Sequence, residues 1–416
     1  MWTRAFQRHP EWIVILAGVA AALHIGKMPP AIPFLRDALG VSLMQAGFLL
    51  SLVQLAGMVL GLVVGAVADG IGLKRSMVTG LLLLSLVGAL GALARDPASL
   101  LLLRALEGFG ILLTVMPAPG LIRRLTPPVK LPVALGLWGA YMPFGTALAL
   151  AVGPALMGVA GWPVWWLCIA AVSLAMAVWV HQAVESDVRD RTGAASTAGT
   201  ADRRPDAGLT LVARARWTLS VPGPWLAALC FALYSGQWLA VIGFLPSIAA
   251  QGGQSGAGVA WLLALVALVN MVGNIVSGRL LQRGVAARSL LFAGFGAMAA
   301  GAVLAFADVA WSQSPGLVLG VRYLGLLLFS MVGGVIPGTL FLVAVQVAPS
   351  ESCVSTTVGW MQQLSALGQF LGAPLVAWVA ATTGVWHWTW VVTGSSCVLG
   401  AMVAHLIGRQ LTHGAR

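Results

Sequence analysis

Charged residues are scarce in this sequence. They account for 8% of its 416 residues, whereas about a quarter of a soluble domain is charged. Residues 131–184, 217–278 and 352–408 contain no lysine, arginine, aspartate or glutamate. So few charges cannot keep a globule of this size in solution, which excludes a soluble protein. The apolar residues, 59% of the total, run continuously instead of alternating, so the sequence predicts an all-α membrane protein rather than a β-barrel.

Motifs for cofactors and catalysis are lacking as well. The four cysteines include no Cys-x-x-Cys pair and all fall in apolar runs, which predicts buried free thiols, no metal site and no cofactor. The sequence contains no Gly-x-Ser-x-Gly, no His-Glu-x-x-His and no Walker loop, which argues against an enzyme and against a nucleotide-driven pump. The net charge of +11 is spread between the apolar runs and not over one face, so it does not indicate a nucleic-acid partner.

The apolar runs divide into twelve predicted transmembrane helices, which we call span 1 to span 12 in chain order. Their predicted limits are 12–34, 45–68, 76–94, 98–121, 132–157, 163–183, 225–247, 257–280, 288–308, 316–344, 354–380 and 388–408. Lysine and arginine concentrate in the segments on one side of these spans, and the opposite side holds only Arg36 and Arg95. The positive-inside rule therefore predicts that both termini are cytoplasmic.

A long polar segment and an internal repeat divide the chain into halves. The segment 185–222 is rich in small and polar residues, which predicts a linker between units 1–184 and 223–416. Its end, "LTLVARARWTLSV", fits either a short amphipathic helix on the membrane surface or an ordinary solvated linker. The stretches "AALHIGKMPPAIPFL" (21–35) and "FALYSGQWLAVIGFL" (231–245) share six of fifteen positions. This match indicates a duplicated six-span unit, a signature of secondary transporters.

The loop between spans 2 and 3 carries a motif, "GAVADGIGLKR". Its pattern residues are Gly65, Asp69, Gly72, Lys74 and Arg75. They resemble the loop signature of the major facilitator superfamily, although Gly70 stands where the family usually has arginine. The resemblance implies twelve transmembrane helices in two pseudo-symmetric six-helix bundles, acting as a monomeric carrier. Asp69 is then expected to belong to a conformational latch, the alternative being a capped loop with positive-inside charges.

Two further patterns resemble the same superfamily. In span 4, "RALEGFG" contains Arg104, an arginine that the family resemblance ties to proton coupling, with Glu107 in place of the family's glutamine. In span 5, the stretch "GTALALAVGPALMG" resembles the family's antiporter motif at the helix-kink positions Gly145, Gly153, Pro154 and Gly158. A helix kink at Gly-Pro explains these residues equally well without antiport.

A few ionisable residues lie at membrane depth, where an isolated charge costs several kcal/mol. They are Lys27, Arg104, Glu107 and Arg322, together with His24. Counting from the loops places Lys27 and Arg104 at nearly equal depth, with Glu107 one turn from Arg104. We expect these groups to line a central aqueous cavity in which Glu107 takes up and releases a proton. The alternative is a structural ion pair, and for His24 a hydrogen-bonded core imidazole.

The second half offers a polar and aromatic wall for the same cavity. Tyr234, Gln237 and Trp238 occupy the repeat positions of His24, Lys27 and Met28, and this mixture suits an organic ligand. Further wall candidates are Asn270, Asn274, Gln362, Gln363 and Gln369. Each of these amides could instead serve a helix–helix hydrogen bond.

These observations together predict a transporter of the bacterial inner membrane. Three cations against one acid favour an anionic or carboxylate-bearing solute, carried with proton coupling across the lipid bilayer. Export by proton antiport is the preferred direction, and uptake by proton symport is the alternative. A sensor that binds without translocating is a third hypothesis, but it would normally carry an added signalling domain.

Overall fold

The protein is a bundle of long helices, seen in a computed structural model that describes residues 9–61, 63, 72–127, 130, 134, 137–185, 210–308, 314–350 and 353–414. No strand occurs within these ranges. Among the described residues, twelve helices are long and apolar enough to cross a membrane, which confirms the predicted number. They are Glu11–Leu39, Leu43–Gly61, Leu73–Gly91, Pro97–Leu125, Tyr141–Ala160, Trp162–Ala183, Pro222–Gln251, Ala257–Gln282, Ala287–Phe306, Pro315–Val347, Thr356–Thr383 and Thr389–Leu411, spans 1 to 12 in order.

Within the described ranges, the α-helix is interrupted inside spans 1, 4, 8 and 10, and span 2 contains a 3-10 turn at Leu52–Gln54. Span 1 consists of Glu11–Gly26 and Met28–Leu39, joined at Lys27. The Met28-Pro29-Pro30 sequence explains this break, because proline lacks the amide hydrogen that would continue the helical ladder. Span 4 is interrupted after Val115 and span 10 after Gly333. Interrupted helices expose backbone groups at membrane depth, where only protein or water can satisfy them.

Close helix crossings are built in the same way in both halves. Gly26 of span 1 faces span 5, where an added Cβ would lie 2.8 Å from Cα of Thr146. Its repeat partner Gly236 of span 7 faces span 11, where an added Cβ would collide with the carbonyl oxygen of Gly368. A small residue is required at each crossing because the backbones touch. The glycines matched by the sequence repeat therefore have equivalent packing roles.

The two halves meet along two contacts, one where spans 2 and 11 run together and one where spans 5 and 8 run together. At the contact of spans 2 and 11, a core cluster joins residues of both halves, and we call this part of it the apolar seal: Leu49 and Leu50 of span 2, Phe244 of span 7, and Ala373 and Ala377 of span 11. Deeper along the same contact, Gln54 donates a hydrogen bond to Gln369 over 2.8 Å. The seal lies at the end of the bundle where span 1 ends and span 2 begins.

The end of the linker forms a helix. Leu211–Ser220 is helical, and the Thr210 side chain accepts a hydrogen bond from the Ala213 amide at its start. The stretch is therefore helical, and its place on the membrane surface stays a prediction. Residues 186–209 lie outside the described part of the chain, and the limits of the two six-span units stay a prediction.

Candidate substrate and proton site

Glu107 lies between two cations in the middle of the first half. Its Oε1 accepts a hydrogen bond from Lys27 Nζ over 2.5 Å, and its Oε2 accepts one from Arg104 Nη1 over 2.5 Å. Lys27 is 0% exposed, and Arg104 and Glu107 are each 2% exposed. The structure therefore brings these three sequence-predicted residues together in one continuous ion-pair cluster.

Arg104 is held by more than its ion pair. Its Nε donates to the Leu49 carbonyl over 2.8 Å, and Nη1 also donates to the His24 carbonyl over 2.6 Å. The remaining terminal nitrogen, Nη2, is buried and has no hydrogen-bond partner among the described residues. A buried donor without a partner is uncommon, because its desolvation is not compensated. Nη2 is thus a position at which a ligand would find an unsatisfied donor.

His24 completes the cluster from span 1. Its Nδ1 lies 3.2 Å from Glu107 Oε1 and 3.4 Å from Lys27 Nζ. Its Nε2 lies 2.8 Å from the Ser173 hydroxyl of span 6. In the neutral ring one nitrogen donates and the other accepts. His24 links the Glu107 carboxylate to Ser173 only in the tautomer with the proton on Nδ1, in which Nε2 accepts from the Ser173 hydroxyl.

The break in span 1 positions Lys27 among aromatic rings. The indole nitrogen of Trp165 donates to the Lys27 carbonyl over 3.3 Å, which anchors the break against span 6. Lys27 Nζ lies 4.9 Å from the centre of the Trp166 ring, within cation–π range. Sequence reasoning missed both tryptophans, Ser173 and the Leu49 carbonyl. Ser173 was the one detectable signal, as a polar residue inside a span without charges.

The cluster is electropositive and closed to water in this conformation. Two cations oppose one acid, which leaves a formal charge of +1 when His24 is neutral. Buried charges are stable only when they are paired and hydrogen-bonded, and here one acid must serve both cations. The predicted group of residues is therefore present, but it forms a packed cluster here and does not line open water. Spans 1, 2, 4 and 6 enclose it, together with span 3, whose Gly88 lies against the His24 ring. Its chemistry suits either binding an anion or exchanging a proton.

Arg322 does not join the cluster. Its side chain is exposed, whereas Arg104, its near-equivalent in the repeat, is 2% exposed. The expectation that Arg322 lines the same site is not supported by its position. The surroundings of the two arginines explain this difference. The second half has no acid at the repeat position of Glu107 to pair with Arg322. The neighbouring Tyr323 donates a hydrogen bond to the Leu262 carbonyl.

The second half contains a separate hydrogen-bonded polar cluster. Tyr234 and Asn270 are joined by a 3.0 Å bond from the amide nitrogen to the phenol oxygen. Asn270 also donates to the Ser330 carbonyl over 2.8 Å, and Trp238 donates to the Ser330 hydroxyl over 3.2 Å. Asn274 bonds back onto Asn270 over 3.1 Å. These side chains tie spans 7, 8 and 10 together, so the helix–helix alternative describes their contacts in this conformation.

The glutamines expected in the cavity wall are distributed over separate places. Gln237 donates to the Leu233 carbonyl and accepts a contact from the Cys397 thiol, so it bonds within the second half. Gln363 donates to the Met58 carbonyl over 2.8 Å, and Gln369 accepts the bond from Gln54. The last two therefore hold spans 2 and 11 together across the contact between the halves.

Comparison with known proteins decides the family. The model of the major facilitator superfamily matches residues 14–371. The chain belongs to the major facilitator superfamily. It is therefore a multi-pass membrane transporter and not an enzyme, with the twelve-helix, two-bundle fold of that superfamily.

Relatives within the superfamily differ in their named roles. The cyanate transport protein CynX of Escherichia coli strain K12 is 27% identical over 270 residues, which cover 64% of each chain. The puromycin resistance protein pur8 of Streptomyces alboniger is 34% identical over 133 residues, 32% of this chain and 26% of that one. The multidrug resistance protein MdtH of Yersinia pestis (strain Pestoides F) is 40% identical over 92 residues, 22% and 23% of the two chains. The matches thus span less than two thirds of each relative.

Solved structures agree with the superfamily fold over nearly the whole chain. A bacterial homologue of the human lysosomal transporter Spinster, in an inward-facing and unoccupied conformation, superposes with a TM-score of 0.74 at 15% identity, covering 98% of both chains. A D-xylose–proton symporter superposes with a TM-score of 0.75 at 15% identity, covering 95% of this chain and 96% of that one. At this identity the likeness concerns the fold alone.

The superfamily loop signature is only partly described. Gly65 and Asp69 lie outside the described residues, so the latch stays a prediction. Gly72 adopts φ +105° immediately before span 3, a backbone conformation that favours glycine. Lys74 and Arg75 follow in the first turn of that span.

The kink motif of span 5 is a packing surface in this conformation. Gly145 packs against span 1, where an added Cβ would lie 2.5 Å from the Cβ of Ala22. Gly153 meets the ring of Pro30, whereas Gly158 faces open space. The helix Tyr141–Ala160 continues through Pro154. These contacts are those of the structural alternative, and whether the motif indicates antiport is not tested by them.

Proposed function

We propose that this superfamily member is a proton-coupled carrier of a small organic anion in the bacterial inner membrane. One observation carries the proposal: a single acid, Glu107, serves two buried cations, and Nη2 of Arg104 has no partner within the described part of the chain. The unbalanced positive charge is the feature that an anionic solute would neutralise.

The arrangement matches what small carboxylates require. An arginine with one terminal nitrogen available can donate to a carboxylate oxygen, and a neighbouring ammonium adds a second charge. The Trp166 ring beside Lys27 supplies an apolar surface for the organic part of the solute. Cyanate, the small anion for which the relative CynX is named, supports this substrate class.

The proposal includes the expected membrane arrangement. Two six-span units, 1–184 and 223–416, joined by 185–222, act as a monomer with both termini in the cytoplasm. Alternating access then exposes the cluster to one side at a time. Export by antiport and uptake by symport both use one proton site, and relatives named for resistance fit a carrier that removes a compound from the cell.

A ligand screen on the purified protein tests the substrate class. Thermal unfolding in detergent is followed with lactate, benzoate, benzenesulfonate and cyanate, and with the cations choline and tetraphenylphosphonium. A bound anion at a hundredfold excess over its dissociation constant stabilises the folded state by about 3 kcal/mol. We expect at least one anion and neither cation to raise the unfolding temperature.

The matched variants are Lys27→Ala and Arg322→Ala, which remove a buried cation and an exposed cation. The anion shift should disappear with the first and persist with the second. Stabilisation by the cations alone, or an anion shift unchanged in Lys27→Ala, would contradict the proposed site.

A further inference from the structure

We propose that the Glu107 carboxylate occupies the position at which the anionic group of the substrate binds. When the substrate binds, it replaces Glu107 as the partner of Lys27 and Arg104, and Glu107 takes up a proton. One anion and one proton therefore cross in the same direction. This inference rests on the proposed function and decides between its two directions of coupling. It selects symport, whereas the sequence favoured antiport.

The geometry shows why the substrate must displace Glu107. The two carboxylate oxygens of Glu107 are divided between the cations, one on Lys27 Nζ and one on Arg104 Nη1, both at 2.5 Å. A second anion cannot contact both nitrogens while Glu107 occupies them. It can begin at Arg104 Nη2, which lacks a partner within the described ranges, and gain the two-pronged contact of an arginine with a carboxylate once Oε2 leaves Nη1.

The charge of the cluster shows why the anion and the proton favour each other's binding. The empty cluster carries a formal charge of +1, because Lys27 and Arg104 oppose Glu107 and His24 is neutral. A proton alone raises the buried charge to +2. An anion alone lowers it to 0 but leaves two anionic groups, Glu107 and the substrate, competing for the same two cations. An anion and a proton together leave it at +1 and relieve that competition. The empty and the fully loaded forms therefore bury the same charge, and each ligand favours the binding of the other.

The same reasoning disfavours antiport of an anion. In an antiport cycle the returning form would carry the proton without the anion, which is the form with the highest buried charge. A cationic solute would reverse the argument, since it would compete with the proton for Glu107. The sign of the coupling therefore follows from the charge of the substrate.

Other titratable groups around Glu107 must be separated from it in the test. His24 and Lys27 face it from span 1, and Arg104 faces it from its own helix. Span 2 contributes the Leu49 carbonyl and span 6 the Ser173 hydroxyl, neither of which titrates. His24 is thus the competing proton acceptor.

Proton flux through the unaltered protein is the first test. Proteoliposomes containing a trapped pH indicator receive an inward gradient of each of the four anions, with the membrane potential clamped. Symport acidifies the lumen with one proton for each labelled anion, in either orientation of the protein, and protein-free liposomes correct for permeation. Alkalinisation, or anion uptake without proton flux, would overturn the inference. If none of the four anions crosses through the protein, the anion carrier itself is wrong.

Affinity measured against pH identifies the proton acceptor. With one linked proton, anion binding to the wild type weakens about tenfold for each unit by which pH rises above the titration of the acceptor. In Glu107→Gln we expect anion affinity independent of pH, with anion exchange retained and no acidification. The pH slope should persist in His24→Gln. If the pH dependence of anion affinity persists in Glu107→Gln and vanishes in His24→Gln, the role of Glu107 is refuted. If a variant does not fold, the proton flux through the wild type still decides between symport and antiport.

Discussion

Arg104 shows how much the surroundings of one side chain matter. It occupies nearly the same repeat position as Arg322, yet Arg104 is 2% exposed and Arg322 is exposed. Three hydrogen-bonded groups account for the difference: the Leu49 carbonyl, the His24 carbonyl and the Glu107 carboxylate. Two of these are backbone oxygens on different spans, which a forked donor can reach together with the carboxylate.

Replacing that fork while keeping its charge tests this account. Arg104→Lys retains one cation but cannot reach both carbonyls and Glu107, so at least one buried acceptor loses its partner. We expect a loss of about 2 kcal/mol in stability and a lower unfolding temperature in detergent. Arg322→Lys is the matched control and should unfold as the wild type does. If the two variants lowered the unfolding temperature equally, the hydrogen bonds of Arg104 would not distinguish it from Arg322.

At the scale of helices, contact between backbones determines which spans can pair. Gly26 and Gly236 lie at repeat-equivalent crossings, span 1 on span 5 and span 7 on span 11. At the second crossing Gly368 and Gly372 of span 11 also lie against the backbone of span 7. Such approaches provide van der Waals contact, which replaces the hydrophobic effect as the main source of helix association in lipid.

A methyl group added at a crossing should therefore be costly. Gly236→Ala places Cβ against a backbone oxygen that cannot move independently, and we expect destabilisation of about 1–3 kcal/mol. Gly296→Ala is the control, because a Cβ there meets open space in another helix and should be neutral or slightly stabilising. Thermal unfolding of both variants in the same detergent measures the difference, and a neutral Gly236→Ala would show that the crossing is looser than described.

At the scale of the whole molecule, spans 2 and 11 form one of the two contacts between the halves, the other being that of spans 5 and 8, and alternating access requires such contacts to open and close. The apolar seal closes one end of the contact between spans 2 and 11, and Gln54, Gln363 and Gln369 bond across its middle. An apolar seal opens by exposing its side chains to water, whereas the glutamine bonds can be replaced by bonds to water. Separating spans 2 and 11 should therefore cost less free energy at the glutamine hydrogen bonds than at the apolar seal.

A reversible cross-link across this contact should stop transport. An added Cβ at Gly57 would lie 3.2 Å from the Cβ of Ala366, so the two helices need to separate by only a few tenths of an ångström to reach the roughly 3.5–4.5 Å Cβ–Cβ distance of a disulfide. In Gly57→Cys with Ala366→Cys, oxidation should abolish uptake of the transported anion into proteoliposomes, and reductant should restore it. The two single variants control for oxidation of the native cysteines. Full transport by the cross-linked protein would mean that this contact does not change during the cycle.

The sequence by itself determined the class of the molecule, its twelve spans, its superfamily and the shared depth of Lys27, Arg104 and Glu107. These follow from composition, from loop charges and motifs, and from counting residues along helices, all of which are properties of one segment at a time. Only the tertiary structure decided that these side chains touch, that Ser173 and Trp166 join them, that Arg322 stays outside and that the cluster is closed to water in this conformation. The physical reason is that sequence position gives depth in the membrane but not direction around the bundle, which is set by the packing of spans 1, 2, 4 and 6 against one another.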